Sequence, residues 1–213
     1  MGYTLDPIED GCYEGTACLI NKLDIRDEDI LAKMEMAIVT PKMADLERYI
    51  GSNTLNFDYY REIHRYLFCD LYDWAGQVRT VNISKKGFSF VDHERIESIS
   101  NAVFSRLTEK QYLVGVTRDV FLSEIVHFYD VTNRLHPFRE GNGRTQRIFI
   151  SHLAQNAGFN LDFLSMDHDE LMIATIQSAQ GVYDVLFRLF DSHLKNFDIK
   201  PDRSKRYPGD DAR

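Results

Sequence analysis

The chain has 213 residues, of which 44% are hydrophobic, so one compact domain with short appendages fits and wholesale disorder is excluded. Acidic residues outnumber basic ones by 33 to 25, so the chain as a whole is no basic nucleic-acid binder, and an anionic ligand must be held by a local group of donors. The three cysteines, Cys12, Cys18 and Cys69, include no CxxC pair, which argues against a disulfide scaffold and a structural zinc and favours a reducing compartment.

No apolar run approaches the roughly 18 residues of a membrane helix, and the N-terminus lacks the basic-then-apolar order of a signal peptide. The expectation is a cytoplasmic protein. Residues 1–15, with Pro7, Gly11 and Gly15, read as an irregular arm. Over 27–50, Ile30, Met34, Ile38, Leu46 and Ile50 keep helical spacing, with a break or kink expected at Pro41. Asp58 can cap a helix reaching about residue 74, with Tyr59, Ile63, Tyr66, Leu67 and Leu71 as its apolar stripe. After Gly76 the period changes. Val78, Val81, Ile83, Phe88, Phe90 and Val91 flank the turn Ser84-Lys85-Lys86-Gly87, a hairpin signal over 78–91.

Asp92 can cap the next helix, built on Ile96, Ile99, Val103 and Leu107. Phe121, Ile125, Phe128 and Val131 mark another, ending near Leu135 because Pro137 follows. Residues 144–157 form a further helix with Gly158 at its end, and helical patterns cover about 167–180 and 182–195. Residues 196–213 are expected to be disordered. The class is all-α: about seven helices around one core, spanning 16–195, with one small β-hairpin.

One segment carries chemistry: His136-Pro137-Phe138-Arg139-Glu140-Gly141-Asn142-Gly143-Arg144-Thr145-Gln146-Arg147, on a loop between two helices. Gly141 and Gly143 permit backbone conformations that turn successive N–H groups into an anion nest, and the nest leads into a helix N-terminus. Arg144 and Arg147, at i and i+3, can reach one polyphosphate from one helix face. Glu140, an acid amid these cations, makes sense as a ligand of Mg²⁺ bridging phosphates, and His136 can act as a general base. Together these groups describe nucleotidyl or phosphoryl transfer. The segment is neither a dinucleotide fingerprint, since Gln146 stands where the third glycine belongs, nor a P-loop.

The segment matches the Fic signature H-P-F-x-[D/E]-G-N-G-R-x-x-R at every specified position, and the chain resembles that family over roughly 5–195. The stretch Asp70-Leu71-Tyr72-Asp73-Trp74-Ala75-Gly76 is similar to the family's segment before its flap, and Asn133 matches the N-x-x-H-P-F lead-in. The resemblance implies transfer of AMP from ATP to a Ser, Thr or Tyr hydroxyl of a target protein. It further implies that His136 deprotonates that hydroxyl, Phe138 anchors the loop, and Glu140 holds Mg²⁺. Gly141, Asn142 and Gly143 would form the anion hole, Arg144 would position the β/γ-phosphates, and Arg147 would complete the pocket. The hairpin, with Ile83, Ser84, Lys85, Lys86, Gly87 and Phe88, would be the flap that docks the target by β-strand addition. Neither a membrane nor direct nucleic-acid binding is implied.

Family members are commonly restrained by a helix carrying [S/T]-x-x-x-E-[G/N]. No strict copy occurs; Glu14-Gly15 has Asp10 at the hydroxyl position. The chain therefore resembles the toxins inhibited by a separate antitoxin protein, whose familiar targets are DNA gyrase and topoisomerase IV subunits. Two alternatives stay open. One is a Doc-like protein kinase, although such proteins carry lysine where this chain has Gly143. The other is a catalytically idle interaction module, although base, acid and both arginines are present. Of the other histidines, His64, His93, His127, His152, His168 and His193 read as surface or structural.

Overall fold

The structure is a computed structural model that describes residues 11–49, 54–85, 88–197 and 208. Among them are seven α-helices and two small antiparallel strand pairs, the all-α arrangement expected. Helix α1 (Glu28–Arg48) starts where the Asp27 carboxylate accepts from the Ile30 amide. Of the break or kink expected at Pro41, the break does not occur: the helix continues through it. Val39 and Leu46, on either side of the proline, are both buried in the core, and that shared packing offsets the roughly 3 kcal/mol that an interior proline costs.

Helix α2 (Phe57–Phe68) is capped by Asn56, whose side chain accepts from Tyr59 N, rather than by Asp58. It ends at Phe68, short of the expected residue 74; beyond it the Leu71 amide closes a tight turn onto the Phe68 carbonyl, which also takes one α-type bond from Tyr72 N, and the regular ladder stops. Leu71, Tyr72 and Ala75 are nevertheless buried, so a run of tight turns imitates a helical stripe. The expected hairpin over 78–91 contracts to β1 (Ser84–Lys85) and β2 (Phe88–Ser89). Its stems are drawn off the ladder by Arg79, which donates to the carbonyls of Val81 and Val91.

Asp92 caps a 3₁₀ turn that leads into α3 (Ile96–Glu109), and Thr117 caps α4 (Arg118–Leu135). Helix α5 (Asn142–Asn156) lies at the centre, packed by α1, α2 and α4 around Tyr60, Phe104, Phe128 and Phe149. Strand β3 (Phe159–Leu161) pairs with β4 (Leu194–Asn196), beyond α6 (His168–Ala179) and α7 (Asp184–His193). This long-range antiparallel pair was not anticipated, and it ends the helix expected over 182–195. Phe159 and Leu161 face inward while Asn160 is half-buried, a period-2 signal only three residues long.

Of the predicted arm, residues 1–10 lie outside the described residues; Cys12 bridges Leu19 in an irregular stretch. Of the predicted tail, Asn196 belongs to β4, and all but 197 and 208 of the remainder lies outside them. Among the described residues no helix is long and apolar enough to cross a membrane.

Candidate active site

The signature segment joins α4 to α5. Helix α4 ends at His136 in a left-handed conformation, φ 43° and ψ 62°. That backbone is strained for a side chain with a Cβ, at a cost of about 1–3 kcal/mol. The imidazole Nδ1 lies 3.1 Å from the Asn133 carbonyl, and since a carbonyl only accepts, Nδ1 carries the proton. Nε2 is then left with its lone pair. Phe90 stacks on the ring at 3.8 Å, and burial, with lesser repulsion from Arg79 and Lys85, pushes the His136 pKa down to about 3. The ring is neutral at pH 7.

The loop is closed by one residue. Asn142 Oδ1 accepts from Phe138 N at 2.9 Å, and its Nδ2 donates to Phe138 O at 2.8 Å. The Asn142 side chain is thus committed to the loop, and its backbone N–H stands in the first turn of α5. Phe138, fully buried, stacks at 3.8 Å on His64. His64 Nδ1 accepts from Gly76 N at 2.8 Å while Nε2 donates to the Glu140 carbonyl at 2.9 Å, so one neutral tautomer ties α2, the turn before the flap and the loop together. Gly141 adopts φ +77° at the α5 N-terminus, where an added Cβ would lie 2.3 Å from the Phe68 ring. Gly143 differs from expectation. It lies within the first turn of α5 and is not among the positive-φ glycines, so the concavity is built by Gly141 and the helix N-terminus.

Arg144, Arg147, Glu140 and His136 line one cavity of about 600 Å³, together with Lys85 and Phe88 of the hairpin and a largely apolar wall from α6. Arg144 reaches the Glu140 carboxylate at 3.1 Å and Glu35 of α1 at 2.6 Å. Burial opposes its charge, but Glu35 and Glu140 more than offset this and its pKa rises. The Arg147 side chain makes no hydrogen bond or ion pair among the described residues, and burial lowers its pKa. It is a buried cation on the cavity wall whose charge Glu47 offsets only in part. No group of three or more His, Cys, Asp or Glu that could hold a metal occurs among the described residues, so a cation here would depend on Glu140 and on phosphate oxygens.

Arg79, His64, Phe90 and Glu35 are site residues that the sequence did not single out. Arg79 is buried and forms no ion pair with a carboxylate among the described residues, and the more distant Asp92 charge favours its protonated form. It donates to the carbonyls of His136 at 2.8 Å, Val81 at 2.7 Å and Val91, and its own amide bonds Pro137 O at 2.9 Å. Burial lowers its pKa to about 10. One side chain therefore fastens both stems of the hairpin to His136. Phe90 had a legible signal, because it lies two residues from Phe88 and so on the same strand face.

Of the hairpin residues, Ile83 is buried, Ser84 and Lys85 pair with Ser89 and Phe88, and Lys86 and Gly87 lie outside the described residues. Glu14 sits in an exposed turn and not on a helix, and Asp10 lies outside the described residues.

The buried histidines set an acid limit on stability. Burial lowers His64 to about 3 and His152 to about 4; the latter is held between Tyr59 Oη and the Leu46 carbonyl. Both are depressed below the unfolded value near 6.5, so between about pH 4 and 6.5 the unfolded chain binds the extra protons and stability falls as pH falls. The slope approaches about 1.4 kcal/mol per pH unit for each ring. Urea denaturation at pH 7 and pH 5 checks this, and equal midpoints would contradict it.

The Fic/DOC family model matches residues 54–154. The protein adenylyltransferase VbhT of Bartonella schoenbuchensis is 34% identical over 184 residues, which are 86% of this chain and 38% of VbhT, so the chain spans well under half of that relative. The Fic protein of Escherichia coli, described as a probable protein adenylyltransferase, is 34% identical over 84% of this chain and 88% of its own length. Among solved structures, the N-terminal Fic domain of a VirB-translocated Bep effector protein from Bartonella quintana, with bound ADP, superposes with a TM-score of 0.83 at 25% identity, covering 89% of this chain and 96% of that one. With the signature loop closed in the geometry described and the similarity running well beyond it, the chain belongs to the Fic/DOC family.

Proposed function

We propose that the chain is a protein adenylyltransferase that moves AMP from ATP to a hydroxyl side chain of a target protein. One observation carries the reading: the Nε2 lone pair of His136, the buried Arg147 guanidinium and the N-terminus of α5 converge on a single cavity. In the reaction the hydroxyl proton passes to His136 Nε2 as its oxygen bonds the α-phosphorus. The bond from that phosphorus to the bridging oxygen breaks, and pyrophosphate leaves. The α5 N-terminus and the two arginines stabilise charge on the phosphates, which is the main demand of such a transfer. An anionic triphosphate nearby raises the pKa of His136 from its low resting value toward one suited to a general base. The ADP found in the Bartonella quintana domain supports an adenine nucleotide, and the apolar α6 wall, with Leu171 and Ile176, offers a surface for the base.

The residues fit Mg²⁺. Glu140 uses Oε1 for the Gly141 amide at 2.8 Å and for Arg144, and its Oε2 makes no hydrogen bond among the described residues. Magnesium takes one or two carboxylates and fills its remaining positions with phosphate oxygens and water. Bound there, it would neutralise phosphate charge. Glu140→Ala is therefore expected to cut ATP affinity at least ~10-fold in the presence of Mg²⁺ and to change it little in its absence, by a role worth about 1.4 kcal/mol or more. Calorimetry with and without the metal checks this; equal affinities for both proteins under both conditions would contradict it.

The target docks by adding a strand to the hairpin, where Lys85 and Phe88 reach the cavity. A separate protein restrains the enzyme by presenting a carboxylate to Arg147, in competition with phosphate. Incubation with α-labelled and, separately, γ-labelled ATP plus bacterial lysate tests the activity. Label from the α position alone supports AMP transfer, label from the γ position alone would assign a kinase, and neither would leave an interaction module.

A further inference from the structure

Arg144 belongs to the signature, but what holds it does not. Glu35, on α1, lies 109 positions earlier in the chain, and both its oxygens are committed. Oε1 takes Arg144 Nη2 at 2.6 Å, and Oε2 accepts from the Tyr72 hydroxyl at 2.7 Å. Tyr72 is buried and stacks on Trp74 at 4.4 Å, so the hydroxyl that orients Glu35 is itself fixed. The guanidinium lies over the Phe68 ring at 4.8 Å. Arg144 thereby spends a single nitrogen, Nη2, on both carboxylates, while Nε and Nη1 carry no hydrogen bond among the described residues.

The two acids are not equivalent. Glu140 has an oxygen to spare and is the carboxylate that a metal would claim. Glu35 has none. When Glu140 turns to the cation, Arg144 loses the second of its two counter-ions, the one at 3.1 Å, and keeps only Glu35 against the like charge of Arg147. We propose that Glu35 is the positioning residue of the nucleotide site: the Tyr72–Glu35–Arg144 chain keeps the guanidinium in place after Glu140 is engaged and leaves Nε and Nη1 for the phosphates. This deepens the adenylyltransferase reading and rests on it.

The full chain is titrated with ATP by calorimetry in EDTA and in Mg²⁺, and KM for ATP is measured alongside kcat. Glu35→Ala raises the ATP Kd and KM at least ~10-fold in Mg²⁺, where Glu140 is engaged, and by less in EDTA, where Glu140 still holds Arg144. Glu35→Gln keeps an acceptor for Nη2 and stays within ~3-fold of wild type. A thermal melt checks folding, and if Glu35→Ala does not fold, Glu35→Asp, which keeps the charge but withdraws it by one methylene, takes its place with the same expected rise. Unchanged Kd and KM in the alanine or aspartate variant, or a glutamine variant as impaired as alanine, would overturn the proposal. Tighter ATP binding by Glu35→Ala would overturn it too, by making Glu35 a competitor of phosphate. Failure of the wild-type chain to bind ATP at all would instead sink the functional reading.

Discussion

His136→Ala loses at least about 10²-fold in transfer rate, the lower bound for removing a positioned general base, while its affinity for ATP stays within a few fold of wild type. The split follows from geometry. The imidazole is fastened by Nδ1–H to the Asn133 carbonyl and by the Phe90 ring stacked on its face, so the only group it offers the cavity is the Nε2 lone pair. A lone pair serves a hydroxyl donor and not a phosphate, so its loss leaves nucleotide binding to the α5 N-terminus and the arginines. Single-turnover transfer and ATP calorimetry on the purified variant separate the two quantities. In bacteria, wild-type expression is expected to arrest growth and the variant to permit it. Wild-type turnover by the alanine variant would remove His136 from the reaction.

The signature was legible because it is contiguous: His136, Glu140, the glycines and both arginines lie within one loop and the first two turns of α5. Their partners are not contiguous. Glu35, His64 and Arg79 reach the loop from α1, α2 and the flap stem, and in the sequence each is an ordinary charged or polar residue. Arg79 was the least visible, because its partners are backbone carbonyls, and no residue type announces an acceptor that every peptide unit carries. Helix boundaries failed for related reasons. Pro41 was overridden by burial on both sides of it, and the turns after Phe68 kept an apolar spacing without a continuous helical ladder. Tertiary packing decided both, and local propensity carries little of that information.

Gly141→Ala is expected to damage the protein through shape rather than charge. The residue sits at φ +77°, where a Cβ costs roughly 1 kcal/mol. That Cβ would stand 2.3 Å from the Cε2 and Cζ atoms of Phe68, a distance that no pair of carbons tolerates. Phe68 has nowhere to go. It is fully buried, with the His64 ring 4.7 Å away on one side and the Arg144 guanidinium over its face. Forcing it aside adds an overpacking cost of about 1–3 kcal/mol, so the variant should be roughly 2–4 kcal/mol less stable and melt some 5–15 °C lower.

ATP affinity should fall as well, because the displaced ring carries Arg144 with it. Gly143→Ala is the control. Its Cβ would meet only the mobile end of Arg147, at 3.3 Å, on helical backbone where alanine is favoured, so its melting temperature should hold or rise. The clash has one identifiable partner, which makes the argument separable. Phe68→Leu introduced into Gly141→Ala opens the overlapped space, so the double variant should be more stable than the sum of the two single losses predicts. Strict additivity, or a Gly141→Ala protein that melts with wild type, would mean that the loop does not press on Phe68 and that the nest is held open by something else.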